Sequence, residues 1–307
     1  MSQLWHQMNN PLLYAIPVFL VFVIIEAVVL RVHDFGEVTG YEVADVRTSI
    51  SMGAVSLVSL FLLELVSLVA FVFLWTYLAP WHIRADVWWS WVLLIVAVDF
   101  AWYCNHRFSH RVRIGWAGHQ AHHSSEHFNL STALRQKWNP WSEGLFWIPL
   151  PLLGFEPWMI YPAFSINLIY QFFTHTEVVD RLPRPVEFVF NTPSHHRVHH
   201  ASDQQYLDTN YGGILILWDR IFGTFQAELH RPTYGLTKPV NTHNLLELEY
   251  HEYSNIIDDV RSARGLRNKL GYVFGPPGWR PERSREKTRG TPDHGMNRLS
   301  RPEQAAP

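Results

Sequence analysis

Apolar side chains gather into four stretches in the first half of the chain and thin out beyond residue 224. Residues 12–30 are almost wholly apolar, broken by Pro17 and Glu26. A helix of that length, at about 1.5 Å per residue, comes close to crossing a hydrocarbon core about 30 Å thick. No basic segment precedes this stretch and no small-residue cleavage pattern follows it, so it reads as a transmembrane helix rather than a removed signal peptide. Residues 52–78 are long enough to span with tilt and hold Glu64 as their only charge. Residues 87–103 open on Trp88, Trp89 and Trp91, as at a membrane interface, and run straight into histidines. Residues 145–173 are interrupted by Pro149, Pro151, Gly154, Pro157 and Pro162, which predicts an in-and-out hairpin or two short spans rather than one helix.

The pattern predicts an all-α integral membrane protein with about four transmembrane or hairpin helices and a cytoplasmic, histidine-rich catalytic cap. Transmembrane helices fill residues 1–104, and the histidine-bearing region covers 105–225 with its membrane hairpin at 145–173. A soluble C-terminal tail covers 226–307, disordered at its Pro-, Gly- and Arg-rich end. The histidine-bearing side is placed in the cytoplasm by Arg107, Arg111 and Arg113, since Lys and Arg bias orientation inward.

Composition removes whole classes of function. With 48% hydrophobic and 17% charged residues over 307 positions, disorder is excluded for most of the chain. Twenty-five Lys and Arg against 27 Asp and Glu give a net charge of −2, with no basic block to draw nucleic acid. The lone Cys104 makes no intrachain disulfide and no thiolate metal framework. Any metal must therefore rest on imidazole.

Eleven of the 18 histidines fall between positions 106 and 200. His106 and His110 are spaced i, i+4. His119, His122 and His123 are spaced i, i+3, i+4, as are His196, His199 and His200, and Gln171 with His175 forms another i, i+4 pair. On a helix these spacings put side chains on one face, one turn apart, which is what two imidazoles need to share a metal. Imidazole suits zinc, copper, iron and nickel. Nine ligands (His106, His110, His119, His122, His123, His175, His196, His199 and His200) exceed the needs of one tetrahedral zinc, so two metals in one pocket is the economical reading. Iron is the redox-active choice for oxygen chemistry, although such sites take up zinc readily on purification.

The order His-x-x-x-His, His-x-x-His-His, Gln-x-x-x-His, His-x-x-His-His between apolar spans resembles the fatty acid hydroxylase and sterol desaturase superfamily of membrane di-iron enzymes. The likeness is carried by Gly118-His119-Gln120-Ala121-His122-His123, by residues 129–136, by Pro193-Ser194-His195-His196-Arg197-Val198-His199-His200, and by Asn210-Tyr211-Gly212-Gly213 and Trp218-Asp219-Arg220. It implies two iron ions, O2, and either insertion of oxygen or removal of two hydrogens at an unactivated carbon of a lipid. The leading expectation is a lipid monooxygenase that hydroxylates an alkyl or acyl chain or cleaves an ether lipid through an unstable hemiacetal. A sterol or fatty acyl desaturase is the alternative. A non-redox zinc membrane protein ranks below both, because a transporter would hold its ligands at the midplane and a zinc hydrolase would show His-Glu-x-x-His. No dinucleotide fingerprint, haem domain or cysteine cluster is present, so electrons must come from a separate donor protein or a reduced pterin. Arg107, Arg111 and Arg113 could dock an acidic carrier or simply anchor the inner face.

Several residues flank this set. Asp99 shares a helical stripe with Tyr103, His106 and His110, and is expected to accept from the far nitrogen of a ligating histidine or to stand as an interfacial carboxylate. Gln171 and Asn210 are expected beside the ligands, although Asn210 also reads as a turn residue. His195 could orient His196, and Glu126 could carry protons or end a helix. Asp219 and Arg220 could pair, and Glu26 is expected to reach the interface. His127 reads as a surface residue, and His6, His33, His82, His230, His243, His251 and His294 as structural or exposed.

Overall fold

Asn10 opens the first helix: its side chain accepts from the Leu12 amide at 2.9 Å, and Pro11 takes the first helical position, where no N–H is needed. That helix, α1 (Pro11–Val32), leads through a short loop to α2 (Val43–Tyr77), where the Glu42 carboxylate accepts from the Asp45 amide at 2.7 Å. The computed structural model describes residues 10–281, so His6, His294 and the expected disordered end lie outside the described residues. Among the described residues α1 and α2 alone combine the length and hydropathy needed to cross a membrane. Val18, Val21 and Ile24 of α1, and Val58, Leu62 and Val66 of α2, are left exposed, as faces meant for lipid rather than water would be. With 35 residues, α2 is about 52 Å long, well beyond a 30 Å core, and its first turns bury Asp45, Thr48, Ser49 and Met52.

Helix α3 (Trp88–Arg111) follows and ends on His106 and His110; α4 (Arg113–His119) continues after a break at Val112. The proline-broken stretch divides into α5 (Trp141–Phe146), α6 (Pro149–Leu152) and α7 (Pro157–Phe172). Pro149 and Pro157 each begin a helix. Gly154 makes the turn between them with φ +91°, and a Cβ there would meet the Trp81 carbonyl oxygen at 2.5 Å, so only glycine fits. Helix α7 is the central post. Met159, Ile160, Tyr161 and Phe164 pack on Leu68 and Phe71 of α2 and on Leu94, Val98 and Trp102 of α3, while Phe172 stacks on Phe19 of α1 at 3.9 Å.

Short helices α8 (Arg184–Val189), α9 (Pro193–His199) and α10 (Leu217–Phe222) complete the histidine-bearing side. There is no strand among the described residues, only isolated bridges joining Phe190 to Leu215 and Ala201 to Tyr234. The segment expected as a tail carries two amphipathic helices, α11 (Leu245–Ser262) and α12 (Leu266–Phe274), both packed on α4. Arg113 fastens them, reaching Glu252 at 2.7 Å and Asp259 at 2.6 Å. It is therefore buried and no part of an exposed basic patch with Arg107 and Arg111.

Glu249 of α11 accepts from the Trp138 amide at 3.0 Å and from the Asn139 side chain. Burial pushes its carboxyl up to about 7. A carboxyl whose folded pKa is raised binds its proton more tightly in the folded state, so stability is full at low pH and falls as pH rises through that value. Glu249→Gln removes the dependence. Its melting temperature relative to the wild type is expected to rise between about pH 4.5 and pH 7 and to level off above; a gap that does not change with pH would refute this.

Candidate metal centre

Four chain segments bring the nine motif histidines together, all buried. His106 and His110 lie on the last turns of α3. His119 ends α4, His122 and His123 form a 3-10 turn after it, and His196 and His199 lie on α9 with His200 as its cap. His175 follows the end of α7 by three residues. The rings sort into two groups: His106, His110, His119, His123 and His199 in one, and His122, His175, His196 and His200 in the other. Within each group, one nitrogen of every ring lies within 4.8 Å of all the others. The groups abut, since the neighbours His122 and His123 are divided between them, as are His199 and His200. The rings of His123 and His200 stack at 4.3 Å.

Main-chain carbonyls set the direction of four of the nine rings. Nδ1 of His106 lies 2.9 Å from the Tyr211 oxygen, that of His122 3.1 Å from Arg135, that of His175 2.8 Å from Gln171, and that of His199 3.0 Å from Thr209. A carbonyl only accepts, so each Nδ1 must carry the proton, and the Nε2 lone pair is left facing inward. Inside, His106 and His119 meet Nε2 to Nε2 at 3.0 Å, His119 and His123 at 3.2 Å, and His175 and His196 at 3.0 Å. Nε2 of His110 and of His199 is buried without a hydrogen-bond partner. Converging bare lone pairs repel one another and are stable when a cation lies between them.

Protonation does not supply that cation. Burial holds the imidazoles of His119, His122, His123, His196 and His200 well below their ordinary pKa, His175 at about 3 and His199 at about 4. Neutral imidazole is the ligating form. No carboxylate or thiolate joins either group among the described residues. The clusters are thus compatible with borderline metals such as iron or zinc and not with magnesium or calcium.

Other expected residues take different roles. Asp99 touches no histidine. Its carboxylate accepts from Asn167 at 2.7 Å, from the Ile214 and Leu215 amides at 2.6 and 3.1 Å, and from the Trp218 indole at 2.8 Å. The helical stripe it shares with His106 gives a common face, but the carboxylate is taken up by Asn167 and the 214–218 segment. Gln171 serves His175 through its carbonyl, while its side chain donates to Asn167. Asn210 contacts no motif histidine side chain; it accepts from Gln226 N and donates to the His195 and Gln226 carbonyls. With φ +57°, and Asp208 at +61°, Asn210 shapes the turn whose Thr209 and Tyr211 carbonyls aim two of the rings.

His195 points away from the clusters and lies 2.9 Å from Glu187, while its Nδ1 faces Thr192 at the start of α9. Glu26 is buried rather than interfacial, accepting from Tyr41 at 2.5 Å, the Leu130 amide at 2.7 Å and Thr176. Asp219 accepts from the Tyr211 and Gly212 amides instead of pairing with Arg220, which lies over the Phe225 ring. Sequence reasoning missed Arg135, whose carbonyl aims His122 and whose guanidinium reaches Asp45 at 2.5 Å.

An apolar cavity of about 330 Å³ opens from the histidines. His106, His119, His122 and His175 close one part, and Leu12, Ile16 and Phe19 of α1 with Leu57 and Leu60 of α2 line its walls. Gln136, Lys137 and Glu143 are its polar members beside Ser56 and Gln171.

Two helices with lipid-suited faces, a buried all-imidazole centre and an apolar cavity between them define the class: a membrane protein with a candidate metal centre beside a hydrocarbon-lined cavity. Residues 91–224 match the fatty acid hydroxylase family model. Alkylglycerol monooxygenase of Homo sapiens is 40% identical over 273 residues, 88% of this chain and 60% of that protein. The Caenorhabditis elegans alkylglycerol monooxygenase is 36% identical over 285 residues, 86% of this chain and 54% of the relative. Ornithine lipid hydroxylase OlsE of Rhizobium tropici is 32% identical over 136 residues, 44% of this chain and 41% of that protein. The chain thus spans 60% or less of these relatives. No solved structure matches it.

Proposed function

We propose that the chain is an O2-dependent lipid monooxygenase that hydroxylates an alkyl chain beside an ether oxygen, with the nine histidines holding two iron ions. The observation that carries this reading is the junction of an apolar cavity with two groups of inward-facing imidazoles. Two irons bound there would supply reductive activation of O2. One oxygen atom enters a C–H bond and the other leaves as water, with two electrons and two protons from an external donor, either a separate carrier protein or a reduced pterin. Hydroxylation next to an ether oxygen gives a hemiacetal, which breaks to an aldehyde and an alcohol.

The chain's own groups bind and exclude. The cavity walls take up the hydrocarbon and expel water, which would otherwise divert a strong oxidant. The Tyr211, Arg135, Gln171 and Thr209 carbonyls hold their imidazoles in one tautomer and one direction. In this reading α1, α2, the first part of α3 and the segment 145–173 are embedded, the centre sits above them on the cytoplasmic side, and the protein is multi-pass.

Total lipids from cells expressing the wild type or His199→Ala, grown under labelled oxygen gas, test the reading. Label in a lipid alcohol or released aldehyde only with the wild type is expected. Loss of two hydrogens without label would replace it with a desaturase, and no lipid change in metal-loaded, reductant-supplied protein would overturn it.

A further inference from the structure

The cavity wall holds a feature that the uptake of hydrocarbon does not require. Lys137 Nζ lies 2.8 Å from Glu143 Oε1, and both side chains are buried, 9% and 5% exposed. Both line the apolar cavity, with Gln136 beside them. Taking two charges from water costs more than their attraction returns unless further polar partners complete them, and a well-packed apolar pair of the same volume would serve a purely structural purpose as well or better. Among the described residues the only ion pair formed by either side chain is with the other. One ammonium has three donors and one carboxylate has room for several, so the pair retains donor and acceptor capacity beyond its mutual contact.

The position of the pair along the cavity is informative. Lys137 lies two residues after Arg135, whose carbonyl takes the His122 ring at 3.1 Å, and His122 lines the same cavity as Lys137 and Glu143. The polar wall is thus at the histidine end of the cavity. Leu12, Ile16, Phe19 and Leu20 of α1 provide hydrocarbon lining.

We propose that Lys137 and Glu143, with Gln136, form the subsite for the hydroxyl-bearing polar end of a single-chain lipid, Lys137 donating to and Glu143 accepting from its hydroxyl groups. A neutral polyol suits a subsite of no net charge, because it completes both partners without bringing a further charge into an apolar cavity. The chain carbon nearest that polar end then lies beside the histidines, and the rest of the chain extends away from them. Position of attack is set by the head of the lipid and not by its tail. This rests on the monooxygenase reading for its catalytic consequence, but the binding it asserts can be measured apart from turnover.

The test uses full-length protein in detergent or native membranes, with 1-O-hexadecylglycerol and hexadecyl methyl ether, which share the ether and the chain and differ in the hydroxyls. Wild-type protein is expected to prefer the glycerol ether by about 10- to 100-fold in kcat/KM, the scale of hydrogen bonds to charged groups. Lys137→Met and Glu143→Gln should each bring that ratio to within about threefold of one. In parallel, 1-O-hexadecylglycerol should raise the melting temperature of the wild type more than hexadecyl methyl ether does, and Lys137→Met should erase the difference. Equal handling of the two lipids by the wild type, or an unchanged preference in both variants, would overturn the subsite. Hydroxyl-selective stabilisation without oxidation of either lipid would leave the subsite standing and remove the monooxygenase reading instead. Each variant is compared with itself across the two lipids, so a general loss of folding cannot imitate the expected change in ratio.

Discussion

Under the proposed two-metal reading, purified His122→Ala protein is expected to hold about one metal ion per chain against about two in the wild type, and to lose the proposed lipid oxidation by about three orders of magnitude. The asymmetry follows from how the rings sort. His122 is one of four imidazoles in its group, and its removal leaves three, while the five of the other group remain complete. Elemental analysis of protein loaded with iron and then desalted reads the first effect, and product formation the second. His195→Ala is the matched control. Its ring lies among Glu187 and Thr192 and belongs to neither group, so its metal content should stay at the wild-type value. Unaltered stoichiometry in His122→Ala would refute the need for the fourth imidazole in its group.

Asp99→Ala is expected to be the most damaging single change to the scaffold, by about 3–5 kcal/mol or outright failure to accumulate. The carboxylate satisfies the Ile214 and Leu215 amides, the Trp218 indole and the Asn167 side chain, all at a site where Asp99 is 1% exposed. Removing it strands these donors away from water and frees the turn that precedes α10. Asp219, at the start of that helix, holds the Tyr211 amide at 2.8 Å, and the Tyr211 carbonyl aims His106, so loosening should spread to the histidine groups. Thermal unfolding with parallel metal analysis in detergent checks both effects. A variant as stable as the wild type would refute the role given to this carboxylate.

The nine histidines were legible in the sequence because imidazoles at i, i+3 and i+4 have a geometric meaning that survives even where the helix does not continue. His122 and His123 lie in a 3-10 turn and His175 beyond the end of α7, yet the spacing still brings them inward. The division into five and four was not legible, since His122 parts from His123 and His199 from His200 by ring direction alone. Nor could spacing find the carbonyls that set those directions. Arg135, Thr209 and Tyr211 act through atoms that every residue possesses, so no side-chain signature marks them. Asp99 and Arg113 show the same limit from the other side. A stripe on α3 suggested a histidine for Asp99, whereas three of its four partners come from a segment more than a hundred positions later. Arg113 looked like an interfacial charge until Glu252 and Asp259, on a helix with no spanning hydropathy, came to meet it.

Because four of the rings are aimed by main-chain oxygens, natural sequence drift at positions 135, 171, 209 and 211 could alter the side chains without erasing the acceptors themselves. What such drift cannot do freely is reroute the chain. The left-handed bends at Asp208 and Asn210 are the narrow passage. A library built to retune this centre would therefore find few rewards in swapping the aiming residues, and its leverage would lie in the residues that bend the backbone past them.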